Sequence, residues 1–419
     1  MARLELKQLD CWYGETHAVD HVDLVVEDGE LCVLLGPSGC GKTSTLRMIA
    51  GFVRPADGEI TVDGQPIGHL YPGDRNIAMV FQSYALYPHK TVRDHFVFPL
   101  LPAKTPKSEI ERRVDEMADF LDMHEMLGRY PSELSSGQQQ RVAIGRALIR
   151  RPELFLLDEP LNNLDERLRA ETRANLRRLQ QELQITTVYV THDQVEAQAL
   201  ADKVVVMDLG RIRQVGSSQD VYRYPADLFV AGFIGTPPMN FIACHLERGE
   251  RMTRHRNGER HRNGERHRNG ECHRNGDARA QAVLRNAHFS LPMHGELAAQ
   301  AALVPDGVEL ILGVRPEHIR ITSEPRESAL PAEVYVLEPH SNELVLDLKM
   351  GDMILKARAD KQELGFRPEV GQQVWMTFLQ DAVHLFDAER RTVVRREHSP
   401  TRAYGGGEAL DVGGDCGRG

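Results

Sequence analysis

The segment GPSGCGKT, from Gly36 to Thr43, packs three glycines, a lysine and two hydroxyls into eight residues. It follows the apolar run LCVLL and precedes STLRMIAG, so it lies where a strand hands over to a helix. Gly36, Gly39 and Gly41, with Pro37, Ser38 and Cys40 between them, let the backbone curl so that successive N–H groups face phosphate oxygens. Lys42 adds a point charge for the outer phosphates, Thr43 offers its hydroxyl to magnesium, and Ser44 keeps a second hydroxyl beside it. LFLLDEP, 154–160, supplies what such a loop lacks: an apolar strand delivers Asp158 to its C-terminal end, where open α/β sheets bind ligands. Asp158 can hold magnesium through water, and Glu159 beside it can take a proton from an attacking water. In LSSGQQQRVAIGRAL, 134–148, Ser135 and Gln138 stand at capping-box spacing. Ser135, Ser136 and Gly137 bring hydroxyls and free N–H groups to the start of an amphipathic helix, a second anion site.

These residues need a frame of strands and helices. LCVLL, IAMVF (77–81), LFLLD, TTVYV (186–190) and KVVVM (203–207) are nearly continuous in apolar character, which predicts buried strands covered on both faces. Gly51 stands at an expected helix C-cap, and Asp63-Gly64 in ITVDGQPI is a hairpin turn signal. Ser108 and Glu111 are expected to form a capping box ahead of Ile110, Val114, Met117 and Leu121. Asp165 is expected to cap a helix carrying Leu168, Leu176, Leu179 and Leu183.

Composition bounds the partners. The 419 residues are 41% hydrophobic and 27% charged, with a formal charge of −10. That balance argues against a general nucleic-acid binder or a protein held on anionic lipid by its own charge. No apolar run approaches the ~18 to 20 residues of a membrane span, and MARLELKQLDCWYG lacks the pattern of a secretory signal. The reading therefore expects a cytoplasmic protein. Six scattered cysteines, with no CxxC among them, fit reduced thiols rather than a disulfide framework or a cysteine zinc site.

Taken together in this order, the motifs resemble the nucleotide-binding subunits of ABC transporters over roughly residues 4–242. LSSGQ resembles the family's signature LSGGQ, LFLLDEP its Walker B strand, and LNNLD its D-loop with Asp165. Gln82 after IAMVF matches the Q-loop, His192 in VTHDQ the H-loop, and Tyr13 the aromatic that stacks on adenine. The resemblance implies that ATP and Mg2+ are the cofactors. Thr43, Gln82 and Asp158 would serve the metal, and Glu159, His192 and Lys42 the catalysis. It implies a head-to-tail dimer of two copies, with each ATP touched by one chain's phosphate loop and the other's signature helix. Ser136 replaces the signature's first glycine, a cost wherever that position needs positive φ. Asn162 stands where the D-loop commonly has serine.

GDRNIAMVFQSYALYPHKTVRDHFVFPL, GTPPMNF and LGVRPEHI look like the importer ATPases for sugars and sugar-like solutes, which carry a C-terminal OB-like TOBE regulatory domain. By that resemblance the chain would drive transmembrane permease subunits at the cytoplasmic face, served indirectly by an external solute-binding protein. The alternatives are a soluble non-transport ATPase of the superfamily, or an importer ATPase for polyamine, sulfate or iron.

The texture after Gly235 agrees on independent grounds. VELILGV, AEVYVLE, ELVLDLK, MILKARA, VWMTF and VHLF arrive at close spacing between turn residues, as in a small antiparallel barrel. The expected organisation is an α/β P-loop NTPase domain at 1–235 and an all-β OB-like barrel at 236–389. A low-complexity insertion occupies 248–276, and a Gly-rich disordered tail 390–419. The insertion carries near-copies of HRNGER starting at His255, His261, His267 and His273. With no apolar residue in the repeated unit, it reads as a solvated spacer, metal binding or an anionic partner being the alternatives.

Overall fold

The computed structural model describes residues 2–162, 164–248, 282–305, 308–326, 328–389 and 391–394. The HRNGER repeats and most of the expected tail lie outside them. The described residues divide into two compact units, one ending at Ala226 and the other starting at Asp227.

In the first unit, β1 (Leu4–Tyr13) and β2 (Thr16–Val26) form a hairpin, followed by β3 (Leu31–Leu35) and α1 (Lys42–Ala50). Then come β4 (Asp57–Val62), β5 (Gln65–Pro66), β6 (Ile77–Val80), α2 (Val92–Val97), α3 (Lys107–Leu121) and α4 (Ser136–Leu148). β7 (Leu154–Asp158), α5 (Glu166–Leu183), β8 (Thr186–Thr191), α6 (Gln194–Leu200), β9 (Lys203–Asp208), β10 (Arg211–Gly216) and α7 (Ser218–Arg223) complete it. A six-stranded sheet has the order β10-β9-β3-β8-β7-β6, parallel except for the edge strand β10. Every residue of β3, β7 and β8 is buried, because helices and a second sheet cover both faces. That second sheet, β2-β1-β4-β5, is antiparallel and shares one apolar core with α1, β3, β7, β8 and β9.

The turn at Asp63-Gly64 has both residues at positive φ, 49° and 74°, the combination a two-residue hairpin of matched twist requires. Gly51 is the left-handed C-cap of α1. Arg75, 4% exposed, donates to the Met48 and Ile49 carbonyls at 2.7 and 2.8 Å, completing that helix end with a cation. One expectation fails at α3. Its N-cap is Pro106, so Ser108 is already the second helical residue and caps nothing. Proline's fixed φ, here −59°, sets the start ahead of the serine, and Glu111 instead accepts from Arg93 at 3.0 Å.

The second unit is β-rich. It runs α8 (Leu228–Phe233), β11 (Asn240–Arg248), β12 (Ala282–Arg285), β13 (Ser290–Pro292) and α9 (Gly295–Ala301). β14 (Glu309–Val314), β15 (Ile319–Thr322), β16 (Leu330–Pro339), β17 (Glu343–Met350), β18 (Met353–Asp360), β19 (Gln373–Phe378) and β20 (His384–Asp387) follow. They make two five-stranded antiparallel sheets, β13-β12-β11-β14-β20 and β15-β19-β16-β17-β18, around one apolar core. Asn240 joins the sheets: its amide donates to the Val314 and Lys356 carbonyls and accepts from the Lys356 N–H. Val393 and Val394, within the segment composition assigns to the tail, continue this unit. Val393 bridges to Phe386, and the N–H of the buried Val394 donates to the Leu385 carbonyl at 2.7 Å.

Candidate nucleotide-binding site

The loop from Gly36 to Gly41 leaves β3 and enters α1, whose N-cap is Gly41. A Cβ on Gly36 would lie 2.3 Å from the Met207 carbonyl, and one on Gly41 2.4 Å from the Ala18 carbonyl. Gly41 also has a φ of 103°. Both positions therefore exclude a side chain by close backbone approach. Lys42, 4% exposed, donates to the Gly36 and Pro37 carbonyls, each at 2.8 Å. This strap holds the ammonium inside the curl, with the Cys40 thiol 3.7 Å away. Burial pushes the Cys40 thiol pKa up, so beside the lysine it stays a neutral lining group. Ser44 follows in the first turn of α1, and Ser38 sits in the exposed part of the loop.

Thr43 and Asp158 are brought together from different elements. β7 ends at Asp158, and the Thr43 hydroxyl donates to its Oδ1 at 3.1 Å. Burial raises the Asp158 pKa; the Thr43 bond and the charges of Arg47 and Lys42 oppose that shift. A hydroxyl and a mostly buried carboxylate converging at the start of the loop helix are the hard oxygen donors a magnesium ion takes. The glycine curl beside them leaves the approach that phosphates need.

Glu159 has a φ of 44°, a left-handed conformation that a non-glycine side chain adopts at a cost of about 1–3 kcal/mol. Its N–H donates to the Val190 carbonyl of β8, which fixes this turn against the neighbouring strand. Oε1 lies 3.2 Å from Nδ1 of His192, and Oε2 accepts from the Asn162 amide. Both carboxylate oxygens are thus held, one from the H-loop and one from the D-loop. The sequence marks Asn162 only as the residue that stands where the D-loop commonly has serine; its bond to Glu159 is not written in any spacing. Behind His192, the buried Glu196 accepts from the Tyr189 and Thr191 hydroxyls at 2.8 and 2.7 Å. Thr191 in turn accepts from the Asp193 N–H at 3.0 Å, so this network braces the H-loop backbone.

The signature residues form a separate group. Ser135 is the N-cap of α4, and its hydroxyl accepts from the Gln138 N–H while the Gln138 amide oxygen accepts from the Ser135 N–H. Ser136 is the first residue of a right-handed helix and is not at positive φ, so the cost considered for a serine there does not arise. Gly137 packs against Leu168 of α5, leaving about 3.0 Å for a Cβ. Asp165 caps α5 by accepting from Leu168 N–H at 3.0 Å. Among the described residues, the side-chain hydrogen bonds of Ser135 and Gln138 link them to each other and to Met126, not to the phosphate loop. Tyr13, at the end of β1, is 47% exposed.

Gln82 lies two residues beyond β6 and is exposed. The segment after it is tied to the signature helix. Arg146 of α4 donates to the Tyr84 and Ala85 carbonyls at 2.9 and 2.6 Å, and its guanidinium lies 5.6 Å from the Tyr87 ring centroid. His95 of α2, fully buried, accepts from the Tyr87 N–H at 2.8 Å through Nε2 and donates from Nδ1 to the Thr91 carbonyl at 2.7 Å. That pair of bonds fixes the neutral imidazole. Burial, above all, holds its pKa below the ordinary histidine value.

The four described cysteines, Cys11, Cys32, Cys40 and Cys244, are buried and unpaired. No helix among the described residues is long and apolar enough to cross a membrane.

Comparison with known proteins agrees with this geometry. Residues 19–162 match the ABC transporter domain family, and residues 312–386 match the TOBE domain family. The trehalose/maltose import ATP-binding protein MalK of Thermococcus litoralis is 40% identical over 398 residues, covering 91% of this chain and 97% of the relative. The xylose/arabinose import ATP-binding protein XacJ of Haloferax volcanii is 41% identical over 411 residues, covering 95% and 97%. The sn-glycerol-3-phosphate import ATP-binding protein UgpC 1 of Rhizobium etli reaches 54% identity over 242 residues, 58% of this chain and 70% of the relative. This chain therefore belongs to the ABC transporter family, as an ATP-binding ATPase subunit carrying a TOBE domain.

Proposed function

We propose that the chain powers import of a carbohydrate or sugar-like solute. It would act as a head-to-tail pair docked on permease subunits at the cytoplasmic face, with a separate solute-binding protein outside. The solute class rests on what the relatives are named for: trehalose and maltose, xylose and arabinose, and sn-glycerol 3-phosphate. The observation that carries the catalytic reading is the strand-end cluster, in which Glu159 is held from both sides by His192 and Asn162 beside the Thr43–Asp158 pair.

In this reading the adenine stacks on Tyr13 and the phosphates enter the curl from Gly36 to Gly41, including the backbone of Pro37, Ser38 and Cys40. They replace the Gly36 and Pro37 carbonyls as partners of Lys42. Thr43, Asp158 and Gln82 would hold Mg2+, with Ser44 beside them. Bound there, the ion would supply positive charge to the β- and γ-phosphate oxygens. Glu159 accepts a proton from the attacking water at a carboxylate oxygen, and His192 keeps that carboxylate aimed while reaching the γ-phosphate. Ser135, Ser136, Gly137 and Gln138 of the partner copy offer the helix N-terminus of α4 to the same phosphate. Asp165 lies at the start of α5, which Gly137 packs against, and would carry contact across the pair. Arg146 ties the segment after Gln82 to the signature helix α4, and His95 ties it to α2. Movement of the permease-facing segment would thereby move the signature group.

The test is uptake by the chain reconstituted with its co-purifying membrane subunits in vesicles. Mono- and oligosaccharides and glycerol phosphate would be supplied with their binding protein. ATP-dependent accumulation of one of them is expected. ATPase activity stimulated by nucleic acid, with no membrane protein co-purifying, would overturn the reading.

A further inference from the structure

The hairpin of β1 and β2 carries a group of ligand-bearing side chains that ATP hydrolysis leaves unused. Register shows how it assembles. Leu9 pairs with Val22 and Cys11 with Val19, so two steps along β1 oppose three along β2. The extra residue is a β-bulge, with His21 in a left-handed conformation at φ 49°. Consecutive residues of a regular strand point to opposite faces. Here the bulge turns Asp20 and His21 to the same side, opposite Asp10. One carboxylate oxygen of Asp10, one of Asp20 and a ring nitrogen of His21 lie within 4.8 Å of one another.

Each carboxylate divides its two oxygens. Asp10, 6% exposed, gives Oδ1 to Nε2 of His17, whose ring is stacked on Trp12 at 3.9 Å. Its Oδ2 accepts no hydrogen bond among the described residues and faces Nδ1 of His21 at 3.6 Å. Asp20 gives Oδ2 to the Arg211 guanidinium and turns Oδ1 to Nδ1 of His21 at 2.7 Å. One oxygen of each carboxylate therefore points inward, and the other is anchored from outside. This is the arrangement by which second-shell partners orient metal ligands. Zinc-ligand bonds of ~2.0–2.1 Å in tetrahedral geometry separate ligand atoms by about 3.3 Å. The 3.6 Å separation of Asp10 Oδ2 from His21 Nδ1 is close to that value, and the 2.7 Å contact of Nδ1 with Asp20 Oδ1 is a hydrogen bond whose proton a bound zinc ion would displace to solvent.

We propose that Asp10, Asp20 and His21 form a binding site for a divalent transition-metal ion of the zinc class, oriented by His17 and Arg211. An imidazole in the ligand set favours such an ion over magnesium or calcium. The site sits on the sheet that backs the phosphate loop, where Ala18 of β2 meets Gly41, and it shares no residue with the Thr43–Asp158 pair.

The test uses chelator-treated, full-length protein titrated with Zn2+ alone near neutral pH, bound metal being measured by elemental analysis after dialysis. Any zinc taken up by the histidines of the HRNGER repeat is common to variants that all keep the repeat, so the readout is the difference between them. His21→Ala changes an exposed side chain, and its folding is checked by circular dichroism. Wild type should hold one zinc more than His21→Ala and one more than Asp20→Asn. His17→Ala should keep the site with about 10- to 100-fold weaker affinity. Equal zinc content and affinity in wild type, His21→Ala and Asp20→Asn would overturn the proposal.

Discussion

Two histidine–carboxylate clusters lie in one unit of this protein, and they are built in opposite ways. At the end of the parallel sheet, β7 delivers Asp158 and Glu159, and β8 delivers His192. On the antiparallel hairpin, Asp10, Asp20 and His21 meet only because a bulge shifts the register. Parallel strands bring the ends of distant segments to one edge of the sheet, so the first cluster is a property of topology. The second is a property of a single extra residue. The proposed function assigns hydrolysis to the first, because a phosphate loop and a helix N-terminus share its edge; the second lacks any such cradle.

The comparison can be broken most strongly at Glu159. Glu159→Gln should retain ATP binding and lose about 10²- to 10⁴-fold in turnover, since that is what a positioned general base contributes. Steady-state phosphate release checks it. His192→Ala should lose about 10²- to 10³-fold, as for one group aimed at developing charge, with a smaller change in KM than in kcat. Gly41→Ala acts through the scaffold of the same edge. A Cβ 2.4 Å from the Ala18 carbonyl at a φ of 103° should lower stability by about 1–3 kcal/mol and weaken nucleotide binding, read by denaturant unfolding and nucleotide titration.

How much of this was legible follows from the same contrast. GPSGCGKT, LFLLDEP and the Ser135–Gln138 capping box could be read because each is contiguous and carries its own strand, loop or cap signal. Asp165 was legible as a cap for the same reason. The start of α3 departs from the capping-box expectation because Pro106, not the better capping residue Ser108, fixes where the helix begins. The left-handed turn at Glu159 and the bond from Asn162 depend on the neighbouring strand and loop, and no local spacing encodes them. The hairpin cluster was invisible: alternation along β1 and β2 puts Asp20 and His21 on opposite faces, and only the bulge reunites them.

A smaller effect concerns the link between the Gln82 segment and α2. His95 is held neutral by burial, facing Arg146, His89 and Asp94, with its pKa below the ordinary value near 6.5. The unfolded chain then binds a proton that the folded chain does not, so stability falls as pH drops below about 6.5. His95→Asn should flatten that part of the stability profile. Thermal unfolding of both proteins across this range checks the sign.

The most direct measurement is a structure of Glu159→Gln with ATP and Mg2+. The expected result has the γ-phosphate over Lys42 and in contact with His192, and a water within about 2.6–3.2 Å of the residue 159 side chain, in line with the phosphorus. A nucleotide bound away from this strand end, or a water positioned by some other residue while the 159 side chain points elsewhere, would contradict it.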